Sequence, residues 1–149
     1  MKNYILLLVV LFSNFLWSQD KKVEQFPIFP TCENKFNEEL ESCFYDEVQQ
    51  KIFTNFRVPQ SVTDNNFKGN FIVLFEVNQE GRFIMQYSDA AYPELNDEIK
   101  RVFNEIKPIG PPTYAGNPTY SRYSIRISIP LQDPVQVKLA KDEATKKSA

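Results

Sequence analysis

The chain has 149 residues, 24% of them charged, with a formal net charge of -2 and no histidine, so its length suits one domain of ordinary size. Mild acidity without a basic stripe argues against a nucleic-acid partner. With no His, no Gly-rich phosphate loop and no Ser or Cys nucleophile beside a base, the sequence argues against an enzyme and calls for no metal and no cofactor.

Residues 1–19, MKNYILLLVVLFSNFLWSQ, read as a signal peptide: Lys2 is a short positive start, Tyr4 to Phe12 is unbroken apolar sequence, and Ser18 is a small residue where a peptidase can cut. The other reading is an uncleaved anchor, and only then would the chain touch a membrane. Tyr4 to Trp17, with Ser13 and Asn14 inside it, falls short of the roughly 20 residues a spanning helix needs. Either way the chain is exported to the cell envelope. Residues 20–36 form an extended leader in which Pro27 and Pro30 forbid a helix. Cys32 and Cys43 lack C-x-x-C spacing, and in an exported chain their default is a disulfide, worth about 3 kcal/mol for a loop of this size.

The folded domain is expected over residues 37–132. Asn37 is placed to cap a helix from Glu39 to Asn55, in which Phe44, Val48, Ile52 and Phe56 recur every four residues with Phe53 alongside, and Pro59 stops it. Lys68 to Ser88 alternates as a β-hairpin. Phe71, Val73, Phe75 and Val77 share one face, Phe83, Met85 and Tyr87 continue the period of two, and Gly81 supplies the positive φ of the turn. Pro93 opens a second helix carrying Leu95, Ile99, Val102, Phe103 and Ile106, and the proline-rich Pro108 to Pro118 is a stiff loop that cannot enter a sheet centre. In the last strand Tyr123, Ile125, Ile127 and Ile129 alternate with Arg122, Ser124, Arg126 and Ser128, one face dry and one wet. Residues 133–149 are polar, a disordered tail or a loose terminal helix. The order helix, strand, strand, helix, strand predicts an α+β fold with both helices on one face of a three-stranded antiparallel sheet.

The residues FPTCE (Phe29 to Glu33), Cys43-Phe44, NFRVP (Asn55 to Pro59), Gly69, FEVNQEG (Phe75 to Gly81), Pro93, Leu95, Pro108, Gly116-Asn117-Pro118 and SIP (Ser128 to Pro130) resemble, in this order and spacing, the C-terminal domain of TonB-type energy transducers of the Bacteroidota kind. The resemblance covers about Phe26 to Gln132. It implies a periplasmic domain, related to energy-coupled transport, that grips the short N-terminal box peptide of outer-membrane receptors by strand addition. It implies that the accepting strand is Arg122, Tyr123, Ser124, Ile125, Arg126, Ile127, Ser128 and Ile129, with Arg57 in the segment lying near the bound peptide. Arg57 and Val58 stand where the family has a polar residue and Tyr, and only about twenty residues separate the signal from the first helix, where a transducer has a long linker.

An exposed edge offers unpaired N–H and C=O groups to an incoming strand, which fits that placement. Arg122 and Arg126 would form a strip for acidic residues of a partner, and Tyr114, Tyr120 and Tyr123 an aromatic lip or a packing of the loop onto the sheet end. Proline at Ile127 is expected to abolish peptide binding and spare the fold. The alternative is an envelope assembly protein that dimerises through the same edge.

Overall fold

A computed structural model describes residues 24–147. Residues 1–19, expected as a signal peptide or an anchor, lie outside them, as do residues 20–23 and 148–149. The fold is mixed α+β, with strands β1 (Glu24–Gln25), β2 (Gly69–Val77), β3 (Phe83–Ser88), β4 (Thr113–Tyr114), β5 (Asn117–Pro118) and β6 (Ser121–Ile129). Its α-helices are α1 (Glu38–Asn55), α2 (Gln60–Asp64), α3 (Pro93–Glu105) and α4 (Pro134–Lys147), and the leader, expected to be extended throughout, makes a 3-10 turn at Pro30–Cys32, where Pro30 takes the first position that tolerates a missing N–H.

The main sheet is antiparallel in the order β3-β2-β6, so the hairpin supplies its centre and one edge, and β6 the other. Alternation decides what each face meets. Phe71, Val73, Phe75 and Val77 of β2 and Tyr123, Ile125, Ile127 and Ile129 of β6 are buried on the inner face. Leu40, Phe44, Val48 and Ile52 of α1 and Leu95, Ile99, Val102 and Phe103 of α3 cover them, and each such side chain contributes about 1.5–3 kcal/mol when fully buried. Phe44 reaches Tyr123 with ring centroids 4.9 Å apart and Phe103 reaches Phe83 at 5.9 Å, which sets α1 over β6 and α3 over β3.

Gly81 turns the hairpin with φ 74, as expected, and a second constraint holds it there. Its carbonyl accepts the Ile109 N–H at 3.1 Å, and a Cβ at this position would stand 1.8 Å from the Ile109 carbonyl oxygen. Asn37 sits at the start of α1, but its side chain makes no capping bond; φ is 51 there, and its backbone carbonyl takes the Glu41 N–H at 3.0 Å.

The structure departs from the single-sheet expectation. The leader and the proline-rich loop build a second antiparallel sheet in the order β1-β4-β5, pairing Glu24 with Tyr114 and Thr113 with Pro118. Its two-residue strands are too short to show an alternating pattern, and Pro118 keeps to the edge strand, where a missing N–H costs little. On β3 the expected period fails at Tyr87. Met85 pairs with Phe75 and Tyr87 with Leu74, so Gln86 is an extra, unpaired residue, and Tyr87 turns outward, 58% exposed. Residues 134–147, expected as a disordered tail or loose helix, are the helix α4, capped where the Val135 N–H meets the Asp133 carboxylate at 2.9 Å. Cys32 and Cys43 are joined in a disulfide that ties the leader to α1.

Candidate functional site

The direction of each peptide group on β6 follows from bonds made on the far side of β2. Ile72 donates its N–H to the Asp89 carboxylate at 2.6 Å and accepts the Asp89 N–H at 3.3 Å, and Asn78 donates to the Arg82 carbonyl at 3.0 Å. Both turn their backbone groups toward β3. Peptide direction alternates along an antiparallel strand, so Phe71, Val73 and Phe75 turn theirs toward β6, where they face Ile127, Ile125 and Tyr123. The N–H and C=O of Arg122, Ser124, Arg126 and Ser128 therefore point away from the sheet. Among the described residues β6 has no strand neighbour but β2, and no hydrogen bond is made to these outward groups.

A groove of about 200 Å³ runs beside this edge. Its apolar lining comes from Ile52 and Phe53 of α1, Ile125 and Ile127 of β6, and Leu131 and Val137 beyond the strand. Phe53 is half-buried because it stands one position off the stripe that α1 buries. The α4 wall is lightly held: Val135, Val137 and Leu139 are about half exposed, and Lys138 pairs with Asp46 of α1 at 2.6 Å, both side chains exposed. At the other end of β6 the leader closes in, the Ser121 hydroxyl donating to Glu24 at 2.9 Å and the Phe26 ring lying 5.4 Å from Tyr123. Burial pushes the Tyr123 phenol well above its ordinary range; Glu24 and Tyr45 act in the same direction, and a hydrogen bond with Ser121 opposes them.

The expected site residues divide by parity. Tyr123, Ile125, Ile127 and Ile129 send their side chains into the core and their backbone groups to β2, while Arg122, Ser124, Arg126 and Ser128 face outward with both. Proline at Ile127 would break the β2 ladder and crowd a buried site, so the expectation that it spares the fold is corrected. Arg122 is 72% exposed and lies 3.5 Å from Glu76 of β2. Arg126 is exposed and, among the described residues, has no ion-pair partner.

Arg57 is not brought to the groove. Its N–H donates to the Glu98 carboxylate of α3 at 2.6 Å, at a junction where Arg101 also donates to the Asn55 carbonyl at 2.6 Å. The Arg101 hydrogen bond holds the Glu98 carboxyl below its usual range, burial opposes it, and the Arg57 N–H adds to the lowering. Tyr114 and Tyr120 are exposed while Tyr123 is buried, so these tyrosines do not act as one lip. Leu131 and Val137 were not expected in the site, because their part in it depends on how the chain turns after Pro130.

Among the described residues there is no cluster of three metal-ligating side chains and no helix long and apolar enough to cross a membrane. Comparison with family models, curated proteins and solved structures finds no match to this chain.

Proposed function

We propose that this chain is a periplasmic interaction module of the TonB C-terminal type that takes an extended segment of an envelope partner, such as a receptor box peptide, as an added strand on β6. The observation that carries this reading is the free edge itself. Arg122, Ser124, Arg126 and Ser128 offer alternate donors and acceptors over a strand with no irregularity, beside a groove that can take the side chains laid opposite Ile125 and Ile127. The arrangement of α1 and α3 over β3-β2-β6 is compatible with the family likeness noted from the residues.

Two proline variants test it. Ser124→Pro removes an outward N–H and leaves the β2 ladder whole, so its stability should stay within about 1 kcal/mol of the parent while anisotropy with a labelled box peptide shows no binding. Ile125→Pro removes an N–H bonded to β2 and should lose about 3 kcal/mol or more of stability. A folded Ser124→Pro protein that titrates the peptide like the parent would overturn the proposal.

The outer face gives some support to self-association as a second reading, since Ile72, Leu74, Ile84 and Tyr87 are all exposed on it. Light scattering separates the two: a stable dimer indifferent to peptide favours assembly over peptide capture.

A further inference from the structure

Resting on strand addition at β6, we infer that the occupant is an extended segment reading apolar, acidic, apolar, with its acidic residue opposite Arg126. Residues paired across neighbouring strands share a face. A residue laid opposite Ile125 or Ile127 therefore enters the groove, where Ile52, Phe53, Leu131 and Val137 favour an apolar side chain and Gln49, Arg126, Ser128 and Gln132 complete the lining. The residue between them emerges on the outer face beside Arg126, an exposed cation with no ion-pair partner among the described residues. Arg122 is a weaker determinant, because Glu76 already lies 3.5 Å from it.

The same rule argues against one nearby occupant. Val135, Val137 and Leu139 alternate with Gln136 and Lys138, so this segment from a second copy could lay its apolar residues in the groove. It would then set Gln136 or Lys138 beside Arg126, a neutral or a like charge where the site favours an anion.

Three synthetic peptides test the inference on the full chain. All share an alternating valine frame and differ only in the central outward residue, which is Glu, Ser or Lys. Anisotropy titrations at low salt should rank them Glu, Ser, Lys, with about three- to fivefold between neighbours, and added salt should compress the ranking. Arg126→Glu should reverse the order, and Arg122→Glu should change it less. Equal affinity for the three peptides, or an order unchanged in Arg126→Glu, overturns the inference while strand addition stands. No binding by any of them, or by the box peptide, overturns both.

Discussion

β3 and β6 are the two edges of one sheet and both run antiparallel to β2, yet only one of them is straight. β3 has six residues, one of them the unpaired Gln86, and Asp89 folds back at its end to occupy the backbone of Ile72. β6 has nine residues matched one to one with β2 from Gly69 to Val77. A bulge and an early stop are how sheets discourage pairing by strangers, so this molecule blunts one edge and leaves the other serviceable. Neither edge can be told from composition. The difference lies in the extra residue, the earlier stop and the Asp89 fold-back of β3, none of which β6 has.

That contrast can be broken from the β3 side. Gly81→Ala should have the largest effect, at least about 3 kcal/mol in urea unfolding, since the new Cβ adopts a disfavoured φ and meets the Ile109 carbonyl. Asp89→Ala should cost about 1–2 kcal/mol and speed hydrogen exchange at Ile72, whose N–H loses its acceptor. Glu98→Gln should cost about 1 kcal/mol at neutral pH by loosening the junction of α1 and α3. Because the folded-state pKa of Glu98 is lowered, its contribution is present above the ordinary glutamate range and fades as pH falls through the lowered value. Urea midpoints of the two proteins should therefore converge in acid. Deleting Gln86 should change stability least, by under about 1 kcal/mol, because it restores a regular strand without turning any neighbour to the other face. It should nevertheless raise self-association in light scattering, and a deletion variant with the same oligomeric state as the parent would show that the bulge is no guard.

How much of this was legible depended on the length of each pattern. The four-residue spacing of Phe44, Val48 and Ile52 marked α1, and the alternation over Phe71 to Val77 and Tyr123 to Ile129 marked the strands, because burial repeats many times in each. The small sheet was not legible, since two-residue strands held by a leader and a distant loop leave no period. The bulge at Gln86 was hidden because Tyr87 is acceptable on either face. On β6 the wet and dry faces were readable, but not which peptide groups are free, since that depends on the pairing of β2 with both neighbours. α4 was obscured for a related reason: Val135, Val137 and Leu139 alternate like a strand, and the helix they form has no dry side.

The straightness of β6 also bears on how firmly it can fix a position. The backbone of a strand without a bulge offers a paired chain the same hydrogen bonds after every shift of two residues, a step of about 7 Å, and only a shift of one inverts the faces. On the reading proposed above, β6 is closer to a ratchet track than to a socket. A partner under tension would yield in increments, re-forming its bonds one notch along, and Arg126 would mark the notch it prefers.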